Sequence, residues 1–207
     1  MTIDLLPTFV RRNYEVHEWK HACAILHSDF PTEWRDIIRV LTAFRWYRSW
    51  VNVGGGRKSK VAAAIDSALH QREWAEKKFD TEIRVDQKPL KSPTHSVDCF
   101  KNRVALEIEW NNKDPFFDRD LNNFRLLFEL RVISVGIIIT RCDDLQQIFK
   151  ALGRGTSYGA STTHMGKLLP RVDGGGGGGC PLLVFGIKSS LYIADGLRAV
   201  PRRLRRR

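Results

Sequence analysis

A chain of 207 residues with 43% hydrophobic and 28% charged residues has the composition of one globular domain with a sizeable core, which excludes general disorder. No apolar run nears the ~20 residues of a membrane span, and the N-terminal stretch, with Asp4 and then Arg11-Arg12, lacks a secretory h-region; a cytoplasmic protein with no membrane partner is expected. The net charge of +11 suits a polyanion, but Arg198, Arg202, Arg203, Arg205, Arg206 and Arg207 supply six of those charges, and the remaining +5 is no more than an ordinary basic surface carries.

From Tyr14 to Leu26 the apolar residues Val16, Trp19, Cys23 and Leu26 recur at helical spacing, with Asn13 as N-cap, and Pro31 starts a second helix through Trp34, Ile37, Ile38, Leu41 and Phe44. The first of these contains His17-Glu18-Trp19-Lys20-His21, an H-E-x-x-H match that raises a zinc metalloprotease as a remote alternative. On an unbroken helix His27 would not face the same metal as His17, and only sixteen residues precede the motif. The four cysteines, Cys23, Cys99, Cys142 and Cys180, form no C-x-x-C pair, so reduced thiols are expected rather than a zinc ribbon or a disulfide framework.

Gly54-Gly55-Gly56 separates this helical pair from Arg57-Lys58-Ser59-Lys60, either a phosphate-contacting loop or a hinge with a solvated basic edge. The order is not that of a Walker A motif. A helix follows from Val61 to about Lys78, with Ala64, Ile65, Ala68 and Trp74 on its core face, and Glu82-Ile83-Arg84-Val85 alternates as a strand.

Residues 96–110 read as two strands joined at Lys101-Asn102-Arg103. Glu107 and Glu109 then share one face, while Leu106, Ile108 and Trp110 take the other. If the strands pair as a hairpin, Asp98 comes beside Glu107, and three carboxylates converge that repel one another unless protons or a cation compensate them. A hard divalent cation held by carboxylate and carbonyl oxygens, the Ile108 carbonyl among them, answers that need; a solvated strand face is the plainer alternative. The stretch from Trp110 to Asp120 follows at once, dense in amide, basic and aromatic side chains suited to a nucleic-acid backbone beside a metal, with Asn111, Asn112 and Lys113 near enough to touch a phosphate or a base edge.

Asp118 is the expected cap of a helix to Leu130, and Val132 to Thr140 is a strand covered on both faces. Asp143 caps a further helix through Leu145, Ile148, Phe149 and Leu152. The polar, glycine-rich stretch 153–164 contains Arg154, Ser157, Tyr158, Ser161, Thr162, Thr163 and His164, and is either a base-reading loop or a mobile surface loop. Gly174 to Gly179 is expected as a flexible connection before the strand Leu182-Leu183-Val184-Phe185.

Asp98, Glu107 and Glu109, spaced D-x8-E-x-E, resemble the PD-(D/E)XK nuclease pattern in the variant of the BglII, BstYI and BamHI type II restriction endonucleases, most nucleases of the class having lysine last. The resemblance runs over residues 50 to 190 and includes the basic loop at Arg57, Lys58 and Lys60, the strand ending Ile137-Ile138-Ile139-Thr140, and the late glycine-rich loop. It implies an α/β fold with a central mixed sheet flanked by helices, as one nuclease domain over 1–197. That domain comprises an N-terminal helical part (1–50), the Gly/basic loop (54–60) and a catalytic core (61–197), with an Arg-rich tail at 198–207.

The activity implied is hydrolysis of double-stranded DNA at a short palindrome with Mg2+ held by Asp98, Glu107 and the Ile108 carbonyl. Glu109 acts on the attacking water, and Glu82 is a further, weaker acid. The base-reading role of 153–164 comes with the same resemblance, as do a homodimer and a cognate DNA methyltransferase in the host. In BamHI the helix after the catalytic strand takes part in dimerisation, and here Phe117, Leu121, Phe124 and Phe128 with Leu127 and Leu130 offer more apolar surface than one core stripe needs. A structure-specific repair nuclease and a DNA-binding module without catalysis are the alternatives, separated by cleavage of one palindrome against nicking of branched or damaged DNA, or binding alone.

Overall fold

The computed structural model describes residues 2–51, 58–92 and 94–196; the expected Gly54-Gly55-Gly56 hinge, Arg57 and the Arg-rich tail lie outside them. A 3-10 turn (Thr2–Leu5) and α1 (Thr8–Asn13) lead into β1 (Tyr14–Trp19), α2 (Ala22–Asp29), α3 (Pro31–Ala43), β2 (Trp46–Tyr47), α4 (Arg48–Val51) and α5 (Lys60–His70). Then come β3 (Ala75–Lys77), β4 (Thr81–Val85), β5 (Lys88–Ser92), β6 (Val97–Lys101), β7 (Val104–Ile108) and α6 (Phe116–Glu129). The chain continues through β8 (Val135–Arg141), α7 (Leu145–Ala151), α8 (Met165–Asp173), β9 (Leu182–Ile187) and β10 (Tyr192–Ile193). Among the described residues no helix is long and apolar enough to cross a membrane.

Six strands form one mixed sheet in the order β1-β9-β8-β7-β6-β3, with β7, β8 and β9 parallel and the other pairings antiparallel. Every residue of β7, β8 and β9 is buried, as a parallel centre covered on both faces requires. On one face α5 packs against β6 and β7, and α3 against α5 and α2. On the other, α6 comes so close to β8 that a Cβ at Gly136 would lie 2.6 Å from Phe124.

Several expectations are corrected. Residues 14–19 are not helical but an edge strand, paired with β9 from Tyr14↔Ile187 to Trp19↔Leu182. Lys20 and His21, at φ of 55° and 58°, turn the chain into α2, so the helical spacing of Val16, Trp19 and Cys23 straddles a turn. The helix after Lys60 stops at His70: Glu73 at φ 67° reverses the chain, Trp74 swings into the core, and β3 becomes the far edge of the sheet. Glu82 does lie on a strand, but in a separate two-stranded ribbon with β5.

The late glycine run is exposed over Gly174–Gly176 and at Gly178 but closely packed in part. Gly177 is buried, and an added Cβ there would lie 2.5 Å from Leu182, while one at Gly176 would lie 2.8 Å from the Arg171 carbonyl. The surplus apolar face expected on α6 also shrinks. Phe117, Leu121, Phe124 and Leu127 are all buried and Phe128 is partly covered, which leaves only Phe116 and Leu130 exposed.

Candidate active site

The hairpin forms as the alternation suggests, in the register Cys99↔Leu106, Phe100↔Ala105 and Lys101↔Val104. Asn102 and Arg103, both at positive φ, make its two-residue turn. Beyond Cys99 the two backbones stop pairing with each other, and carboxylates take over. The Ile108 N–H donates to Asp98 Oδ2 (3.0 Å), and the Asp98 N–H donates to Glu107 Oε2 (3.3 Å). Each acid thus fills a gap in the ladder while its other oxygen is left for something else. Glu107 and Glu109 are each only 1% exposed, so the solvated-face alternative does not hold.

Two residues that the sequence did not single out complete the cluster. Asp120, in the second turn of α6, is 1% exposed, and its charge acts on both Glu107 and Glu109. Arg119 reaches Asp120 Oδ1 at 2.7 Å and Glu109 Oε1 at 3.4 Å, with its guanidinium 4.3 Å over the Phe116 ring. Asn112 Nδ2 donates to Glu109 Oε2 at 2.8 Å.

Burial pushes the pKa of Asp98, Glu107, Glu109 and Asp120 upward; neighbouring acids add to the shift (Asp120 and Asp98 for Glu107, Asp120 for Glu109, Asp66 for Asp98, Asp98 for Asp120), while Arg119 pulls all four the other way. Glu109 rises from 4.5 to about 9. Glu107 Oε1 and Asp120 Oδ2 are buried and find no hydrogen-bond donor among the described residues. Three buried carboxylates and a partly buried fourth, Asp98, with two oxygens unsatisfied, form a donor set that fits a hard divalent cation.

Two stretches named separately in the sequence meet beside this cluster. The Thr163 N–H donates to the Asn112 carbonyl (2.9 Å), the Asp114 N–H donates to the Ser161 carbonyl (3.1 Å), and Lys113 pairs with Thr162 as an antiparallel bridge. Asn112, Lys113, Ser157 and Ser161 are exposed, and Asn111 and Arg154 are partly covered. Tyr158, Thr162 and Thr163 are instead packed inside the loop. Tyr158 stacks on Phe149 at 4.0 Å, and Thr162 Oγ1 accepts from the buried Arg141 (2.7 Å) and donates to the Gly159 carbonyl (2.7 Å). His164 pairs with Asp143.

Lys58 pairs with Asp66 Oδ2 at 3.0 Å, and Lys60 is exposed at the start of α5. Glu82 pairs with Arg84 at 3.8 Å; the upstream acid whose charge reaches Asp98 is Asp66. The H-E-x-x-H match is dismantled by β1 and its turn. His17 pairs with Glu15 at 2.9 Å, while Glu18 accepts from Thr2 and Cys23.

A mixed six-stranded sheet flanked by helices, with acids gathered on its central hairpin, is the restriction-endonuclease fold. The family model described as restriction endonuclease BglII/BglIII matches residues 14–187, and the chain belongs to that family. The family is one of DNA-cleaving hydrolases that act at specific sites with divalent metal ions. No curated protein matches the chain.

Proposed function

We propose that this chain is a magnesium-dependent type II endonuclease that cuts both strands of a short palindrome, with Asp98, Glu107 and the Ile108 carbonyl holding the cation. The observation that carries this reading is the under-compensated set of acids in which Glu107, Glu109 and Asp120 are buried and Asp98 is partly buried. Held by these residues, a divalent cation would supply a bound water of lowered pKa and would offset charge on the scissile phosphate. Glu109 orients that water or takes its proton, and Asn112 and Arg119 fix the carboxylate for the task. Arg119 also supplies the positive charge that a glutamate at 109 does not.

Asn111, Asn112 and Lys113, together with Ser157 and Ser161, form the surface that approaches DNA, while Lys58 and Lys60 contact the phosphates. Tyr158, Thr162 and Thr163 support that loop from inside. Cleavage of both strands in one encounter needs two such centres, hence a homodimer on the duplex. A host that carries such an enzyme needs a methyltransferase that protects the same sequence.

The test is substitution of the ligands. Asp98→Asn or Glu107→Ala should abolish cleavage and leave sequence-specific binding intact or tighter, because each removes a metal ligand and a repulsion with phosphate but no base contact. Near-normal turnover in either variant disposes of the assigned centre.

A further inference from the structure

Neighbouring residues of a strand face opposite sides, so Cys99 points away from the Asp98 face and toward α5. There Asp66 and His70 stand one helical turn apart. Cys99 Sγ is 3.6 Å from Asp66 Oδ1, His70 Nε2 is 3.4 Å from the same oxygen, and one ligand atom from each of the three lies within 4.8 Å of the others. In a tetrahedral site with metal–ligand bonds of ~2.0–2.3 Å, ligand atoms stand about 3.5 Å apart. Two of the three separations, both to Asp66 Oδ1, are already at that value.

We propose that Asp66, His70 and Cys99 form a second metal site, for a borderline divalent transition cation such as zinc. The donor set selects the ion: a sulfur, an imidazole nitrogen and one carboxylate suit zinc or cobalt and not magnesium, which prefers oxygens alone. Cys99 is fully buried, while the His70 side chain is 39% and the Lys58 side chain 45% exposed. The site thus has a dry sulfur end and a wet end, where water takes the fourth position. On binding, the metal–sulfur bond replaces the thiol S–H, the proton leaves to solvent, and the cation takes over from Lys58 as the counter-charge of Asp66. Thiolate and carboxylate then balance the divalent charge.

The site would couple to the hydrolytic centre without belonging to it. Cys99 follows Asp98 in the chain, and the Asp66 charge acts on Asp98. A cation on Asp66 cancels that repulsion.

The experiment uses the full chain and Co2+ as probe, in excess Mg2+, with binding read by the near-ultraviolet thiolate-to-cobalt band and by equilibrium dialysis. The expected result is one Co2+ per chain with that band. Cys99→Ser removes the band, and His70→Ala, at an exposed side chain, weakens binding more than about tenfold. Glu107→Ala keeps both, so the outcome is independent of whether the hydrolytic centre is correctly assigned. Absence of the band, its survival at full affinity in His70→Ala, or its loss in Glu107→Ala overturns the proposal.

Discussion

At the scale of single residues, the acids of the hairpin set the protein's response to pH. The folded state keeps a proton on Glu109 up to about 9, where an unperturbed glutamate releases it near 4.5. Between those values the folded chain binds more protons than the unfolded one, so stability falls as pH rises through the window. Melting curves in a chelator should show a Tm that declines over that range, with a shallower decline in Glu109→Gln. Added Mg2+ should raise Tm most at the alkaline end, where it no longer competes with protons; a metal-free Tm that rises with pH contradicts the buried cluster. Arg119→Met, which keeps the bulk and removes the charge, should lower the cleavage rate by about 100-fold, the cost of removing one preorganised donor.

The acids Asp98 on β6, Glu107 on β7 and Glu109 just past its end were legible because strand alternation and a short hairpin are local rules: Glu107 and Glu109 must share a face, and Asp98 must lie opposite. Asp120 and Arg119 were not, since only the packing of α6 on the sheet brings them to Glu109. Their one available signal was an acid-base pair inside an otherwise apolar stripe.

At the scale of elements, α6 and β8 fit closely. Gly136 faces the Phe124 ring, and the neighbouring Leu182 would lie 2.9 Å from a Cβ there. Gly136→Ala should cost about 1–3 kcal/mol by overpacking, measurable in urea titrations. An unchanged midpoint means that α6 stands further from the sheet. The elements misread from the sequence share one cause, in that partners distant along the chain outweigh local pattern. Tyr14–Trp19 takes its form from β9, which the spacing of its apolar residues does not reveal. Met165–Asp173 is a helix with Pro170 inside it, which the sequence reading does not predict. That helix is held by Arg171 on Asp118 at 2.8 Å and by Lys167 near Asp114 at 3.6 Å. The strands Val135–Arg141 and Leu182–Ile187, by contrast, announced themselves as continuous apolar runs.

For the whole molecule, one chain carries one cluster of acids, and a palindrome has two strands to cut. Sedimentation of the DNA complex should give two chains per site. Since α6 spends its apolar stripe on its own core, Leu130→Glu should leave that assembly unchanged; folded monomers that only nick would return the interface to α6. Removal of residues 198–207 should weaken non-specific binding and flatten its salt dependence without altering the sequence cut, because arginine–phosphate contacts release counterions but read no bases. The most direct test is to incubate the full chain with phage DNA and Mg2+ and to sequence the fragment ends. Ends that fall at one short palindrome, and that vanish with Asp98→Asn, are the expected result. Scattered ends, no cleavage with either Mg2+ or Mn2+, or the same ends from Asp98→Asn would contradict it.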